Sequence, residues 1–214
     1  MILLSDPRIA AIPLRDNGEA LVDLREVGEF RIDGRLADPA GAYARLREAT
    51  VERLLTAQRG LPDGLRLLIV EGYRPLTLQT TYFEGYKDEL RVKYPDWAPE
   101  RLHVEASKYV SPPEVAPHST GGTVDLTLCT ADGVELDMGT AVNDSPVASA
   151  NACFTASPDI PAQARANRDI LAEALTAAGM VNYPTEWWHW SFGDRYWALS
   201  TGADSTRYGP VDLT

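Results

Sequence analysis

The run Thr123-Val124-Asp125-Leu126-Thr127-Leu128 constrains this chain more than any other. Its alternation and its β-branched residues define a strand, and Val124 and Leu126 place that strand inside a core. A carboxylate in such a strand needs a cation or hydrogen bonds beside it. Any fold for this sequence must therefore build a sheet around the run and carry a partner to Asp125.

One candidate partner is His118, in His118-Ser119-Thr120-Gly121-Gly122. On an uninterrupted strand, residues seven apart lie roughly 23 Å apart and face opposite sides. A turn or bulge at Gly121-Gly122 removes that objection by folding the histidine back beside the aspartate. The plainer alternative, a loop histidine ahead of an ordinary strand, stays open on spacing alone. A second candidate is His189, in Thr185-Glu186-Trp187-Trp188-His189-Trp190, where three tryptophans shield the imidazole from water. The alternative there is a core histidine hydrogen-bonded to backbone. Glu186 and His189 are three apart and face opposite ways on a regular strand. They address one site only if Glu186 sits at the strand entry or on a twist. The third histidine, His103, lies among charges and reads as a solvated helix residue.

Together His118, Asp125 and His189 make a three-ligand set for one Zn²⁺, with a fourth position open to water. Two neutral imidazoles and one carboxylate leave a net charge of about +1, enough to acidify water and polarise a carbonyl. Glu186, beside such a metal, suits a general base. Arg74, at a strand exit and fixed by Pro75, suits stabilisation of an oxyanion, or else is a surface arginine in a turn.

The remaining pattern fits one α+β domain over residues 1–214, long enough for a substantial core. Helical spacing starts at Pro39, with Asp38 as N-cap, and runs through Leu54-Leu55 to a stop by Gly60-Leu61-Pro62. The spacing predicts a strand over 65–70, helices over 76–93 and 99–108, and an extended approach through Pro112, Pro113 and Pro117 to His118. A hairpin follows over 123–136, then a long irregular segment over 139–161 of the kind that usually carries function. A helix over 162–178 ends at Gly179, and a last strand covers 186–190. A net charge of −11 lacks the basic footprint that nucleic acid requires. No apolar run approaches the roughly 18 residues that span a bilayer. With no basic leader and only two cysteines, Cys129 and Cys153, the expectation is a cytoplasmic protein with free thiols.

Four stretches in order, Glu71-Gly72-Tyr73-Arg74-Pro75, His118-x6-Asp125-Leu-Thr-Leu, Asp137-Met138-Gly139-Thr140 and Glu186-Trp187-Trp188-His189, resemble the D-alanyl-D-alanine dipeptidases of the vancomycin-resistance type. Those are zinc peptidases grouped with DD-carboxypeptidases, and the likeness runs from about Leu24 to Trp197. The resemblance implies a central antiparallel sheet flanked by helices. It assigns zinc to His118, Asp125 and His189, the base to Glu186, and a transition-state contact to Arg74. It puts Asn143, Asp144 and Tyr109 at the substrate, a small peptide. Its cytoplasmic members remove free D-Ala-D-Ala before it enters cell-wall precursors. Two positions depart from the pattern. Ala116-Pro117 replaces hydroxyl residues, and Val142-Asn143 replaces a Phe-Asp whose aspartate is expected to hold the substrate ammonium. Either Asp144, the next carboxylate, takes over after a small loop shift, or the ammonium site is lost. Three readings follow: hydrolysis of D-Ala-D-Ala by metal-activated water, the same chemistry on another dipeptide or an N-substituted peptide, or a non-catalytic zinc-binding domain. Glu186 and Arg74 argue against the last.

Overall fold

A computed structural model describes residues 1–107 and 109–213. In chain order its elements are α1 (Pro7–Ala10), β1 (Leu21–Asp23), β2 (Arg31–Ile32), β3 (Arg45–Arg47), α2 (Glu48–Gly60), β4 (Leu65–Glu71), α3 (Leu76–Lys93) and α4 (Pro99–Ala106). Then come β5 (Thr123–Thr130), α5 (Ala162–Ala177), β6 (Val181–Asn182), β7 (His189–Ser191) and α6 (Arg195–Thr201). Lys108, the end of the expected 99–108 helix, lies outside the described residues.

Five strands form the main sheet in the order β2-β4-β5-β7-β6. Three of its pairings are antiparallel, but β2 runs parallel to β4. The expected antiparallel sheet is therefore mixed at one edge. Parallel pairing needs a long crossover, and the chain supplies one between β2 and β4 through β3 and α2. Strand β5 is buried along all but its last residue, as its sequence requires. Val124, Leu126 and Leu128 enter the main core with Leu54, Leu67, Ile69, Leu171 and Leu175. Helices α2 and α5 supply that layer from stripes that include Val51, Leu54 and Ala57, and Ala164, Leu171 and Leu175. Asp125 is left on the opposite side of the same strand.

One irregularity decides what else shares that side. Ile69 pairs with Leu126, and the next pair is Glu71 with Asp125, so Val70 is the extra residue of a β-bulge. Without it Val70 would stand opposite Asp125; the bulge turns Glu71 there instead.

Local structure departs from the sequence expectation in four places. Helix α2 begins at Glu48, because Gly41 adopts φ 67° and Arg45–Arg47 pairs with Leu21–Asp23 as a two-stranded sheet. Asp38 accepts N–H groups from Ala40 and Tyr43 and so closes a turn ahead of β3. The approach to His118 is two 3₁₀ turns, Pro113–Val115 and His118–Thr120, the first entered through proline at a position where no N–H is needed. The last strand starts at His189, which leaves Glu186 in the preceding turn. The expected 123–136 hairpin closes, with Thr130 N–H on Val134 O, but its return limb makes only the single bridge Cys129–Glu135. The segment 139–161 carries neither helix nor strand.

Candidate active site

Gly121-Gly122 reverses the chain between His118 and Asp125. Gly121 has φ 71°, and a Cβ at Gly122 would collide with Phe192 O, so both positions need glycine. Asp125 then lies opposite His189 in the β5–β7 ladder. Nε2 of His118 is 3.4 Å and Nδ1 of His189 is 3.1 Å from Asp125 Oδ1. One ligand atom from each of the three residues falls within 4.8 Å of the others, and all three residues are buried. Ligands at the ordinary Zn–N and Zn–O distances around a tetrahedral ion stand about 3.3 Å apart, close to the two distances observed.

The donor set also fits a cation chemically. His118 Nδ1 lies 2.7 Å from Gly72 O and so carries the proton, leaving the Nε2 lone pair toward Asp125. Asp125 Oδ1 is fully buried and receives no hydrogen bond among the described residues. Burial alone opposes ionisation of Asp125; positive charge facing it, on protonated imidazoles or on a cation in their place, holds the carboxyl well below the usual carboxylate range. An ionised, unpaired acceptor between two imidazoles is the arrangement a metal ion satisfies.

Glu186 reaches this cluster from the turn before β7. Its N–H donates to Tyr183 O and its carbonyl accepts from His189 N–H and from Asn182 Nδ2. That turn removes the strand-face objection: Glu186 Oε2 is 3.5 Å from His189 Nδ1. Its side chain is 26% exposed, against 5% or less for the three cluster residues, so Glu186 opens to the cleft. Burial pushes its carboxyl pKa up and Asp125 adds to this, against the pull of His189, His118 and Arg74. A base is most effective when its pKa approaches the working pH.

Arg74 is held from both sides. Nε donates to Glu71 Oε1 at 2.7 Å, Nη2 donates to Glu71 Oε2, and Nη1 donates to Gln79 Oε1 at 2.7 Å. Gln79 in turn donates to Ser111 O at 2.7 Å. Of the five guanidinium N–H groups, three are engaged among the described residues, and two remain for a ligand. Burial works against its charge, but Glu71 more than restores it and raises the pKa. The Arg74 backbone is tied to the His118 segment through its N–H on His118 O and Ser119 Oγ on its own carbonyl. The alternative of a free surface arginine does not describe this residue, which is 15% exposed.

All eight residues singled out in the sequence (Arg74, Tyr109, His118, Asp125, Asn143, Asp144, Glu186 and His189) line one cleft of about 270 Å³. Asn143 adopts φ 69° and is exposed, and the turn it makes carries Asp144 to the cleft wall. Asp144 Oδ2 accepts the Ala141 N–H at 3.0 Å, which fixes the carboxylate. Tyr109, 40% exposed, packs edge-on against Tyr86. The sequence reading assigned no role to Glu71, Gln79 or Tyr82, of which Tyr82 lines the cleft and the other two hold Arg74. Gln79 carried a signal: it is a polar residue four positions before Phe83 on the buried stripe of α3.

The chain is similar to known proteins over most of its length. The protein-family model described as D-ala-D-ala dipeptidase matches residues 22–203. A D-alanyl-D-alanine dipeptidase of Synechocystis sp. is 27% identical over 219 aligned residues, covering 88% of this chain and 87% of that protein. One from Escherichia coli is 30% identical over 128 residues, covering 59% of this chain and 55% of its own length. In fold, the chain is similar to the LdcB LD-carboxypeptidase, with a TM-score of 0.51 and 15% identity over 90% of this chain and 76% of that one. With the family model spanning most of its length, this chain belongs to the D-ala-D-ala dipeptidase family of peptidases.

Proposed function

We propose that the protein hydrolyses free D-Ala-D-Ala, with Zn²⁺ held by His118 Nε2, an Asp125 carboxylate oxygen and His189 Nδ1. The observation that carries this reading is the convergence of those three atoms beside Glu186 and Arg74 in one small cleft. Bound there, Zn²⁺ supplies Lewis acidity, which acidifies water and polarises a peptide carbonyl at neutral pH. Glu186 takes a proton from the attacking water and returns it to the leaving nitrogen. The two uncommitted Arg74 N–H groups receive the oxygen that gains charge as the carbonyl becomes tetrahedral. The volume lies just below the range for drug-sized ligands and suits a dipeptide. Asp144 receives the substrate ammonium, which favours a free dipeptide over an N-substituted one; Asn143 and Tyr109 complete the wall. The reducing cytoplasm is the proposed compartment. Cys129 and Cys153 are both buried and unpaired, and among the described residues no helix is long and apolar enough to cross a membrane.

The direct test is D-alanine release from D-Ala-D-Ala and from N-acetyl-D-Ala-D-Ala by zinc-loaded protein. The free dipeptide is expected to be the better substrate. For Asp144→Asn, KM should rise on the order of tenfold or more, from loss of one charge-assisted contact. Preference for the acetylated peptide, or an unchanged KM, would overturn the ammonium assignment. The metal assignment has its own measurement: His118→Ala and His189→Ala should each purify with well below one zinc per chain by elemental analysis. Full occupancy in both variants is incompatible with it.

A further inference from the structure

The stretch Asp137-Met138-Gly139-Thr140 takes no part in the chemistry above, yet its last residue joins the two walls of the cleft. Thr140 Oγ1 accepts the indole Nε1–H of Trp187 at 2.8 Å and Nη2 of Arg168 at 3.4 Å. Trp187 follows Glu186 directly, and Thr140 starts the stretch that carries Asn143 and Asp144. Arg168, on α5 and 2% exposed, donates its remaining hydrogen bonds to the same segment. They go to Met138 O at 2.7 Å, Phe154 O at 2.8 Å and Ala152 O at 2.9 Å. Among the described residues no carboxylate comes within ion-pair distance of it, and burial holds its pKa down to about 10. A buried guanidinium given over to neutral acceptors is costly; here it pins both ends of one irregular segment. The Trp187 backbone N–H adds a bond to Cys153 O at 3.1 Å.

Between those ends the segment has little else to hold it in register. The hydrogen bonds of residues 141–151 stay within 141–154, as in Ala141 N–H to Asp144 Oδ2, Asn151 N–H to Pro146 O and Phe154 N–H to Asn151 O. Among the described residues, Val142 is the one of that stretch that enters the core. Where Asp144 sits relative to Glu186 therefore depends on the two ends.

We propose that Thr140 is a positioning residue for the reaction. Its hydroxyl ties the segment bearing Asp144 to the turn bearing Glu186 and so sets the separation between the ammonium end and the base end of the substrate. Arg168 fixes that joint to α5. This rests on the roles given above to Glu186 and Asp144.

Thr140→Val keeps the shape and removes the acceptor, and Thr140→Ser restores it. With zinc content unchanged, Thr140→Val should lower kcat/KM for D-Ala-D-Ala on the order of tenfold, through a lower kcat and a higher KM together. Amide hydrogen exchange over 141–151 should quicken, and Thr140→Ser should return all three quantities to the wild-type range. Should Thr140→Val fail to fold, Trp187→Phe removes the donor from the other side and is expected to shift kcat, KM and exchange in the same directions. Wild-type kinetics and exchange in Thr140→Val, or equal impairment in Thr140→Ser, would overturn the proposal. If instead the wild type cleaves no dipeptide, or Glu186→Gln matches it, the catalytic reading fails, while the exchange contrast between Val and Ser still decides the role of Thr140.

Discussion

Glu186→Gln should cut turnover by about 10³-fold, within the range for loss of a general acid–base group, while zinc stays at one per chain. The substitution preserves volume and removes only the ability to accept and return a proton. Two observations separate this outcome from loss of a metal ligand. Glu186 lies outside the group of three residues whose ligand atoms fall within 4.8 Å of one another. It is also the least buried member of the cluster and lines the cleft. Elemental analysis beside steady-state kinetics checks both halves. A Gln variant that loses zinc makes Glu186 a ligand, and a variant that turns over normally leaves the cleft without a base. KM should change little, because in the proposed mechanism Glu186 serves the step and not the binding of the dipeptide.

The residues bearing this chemistry are legible in the sequence because each breaks a local pattern. Asp125 interrupts an apolar strand, His118 precedes a pair of glycines, and His189 sits among tryptophans. What brings them together is less legible. The Gly121 turn was readable, since glycine is the residue that tolerates φ 71° there. The bulge that turns Glu71 toward Asp125 was not, because pairing across β4 and β5 fixes it and Val70 looks like any other strand residue. The same holds for β3. Arg45-Leu46-Arg47 fits the start of a helix by spacing, and only Leu21–Asp23, distant in sequence, makes it a strand. The turn at Glu186 depends on Asn182, whose Nδ2 reaches the carbonyls of Glu186 and His189. Short helices are hidden for another reason. Helices α1 and α6 are too short for a periodic stripe, and their signals lie in caps, Asp6 before Pro7 and Asp194 accepting Trp197 N–H. Local chemistry thus outlines the site, and long-range pairing supplies its geometry.

The bulge has a kinetic consequence at Arg74. Replacing Arg74 by Ala should lower kcat by about 100-fold or more, the usual cost of removing one oxyanion-stabilising group, with zinc retained. A change confined to KM would mean that Arg74 binds the ground state instead. Lysine should rescue little. Glu71 takes two guanidinium N–H groups side by side and Gln79 takes a third, and an ammonium cannot match that planar fork. Glu71 is therefore the more informative second variant. Glu71→Gln leaves the guanidinium in place, weakens its charge-assisted anchor and offers an amide N–H where an acceptor stood. If Arg74 works by orientation, Glu71→Gln should lose a substantial part of the Arg74→Ala deficit in kcat, at unchanged zinc content and with KM nearly constant. If Arg74 contributes only its charge, Glu71→Gln should stay near wild type, since it leaves the guanidinium charged beside the same cleft. The two kcat values side by side distinguish a positioned donor from a nearby cation.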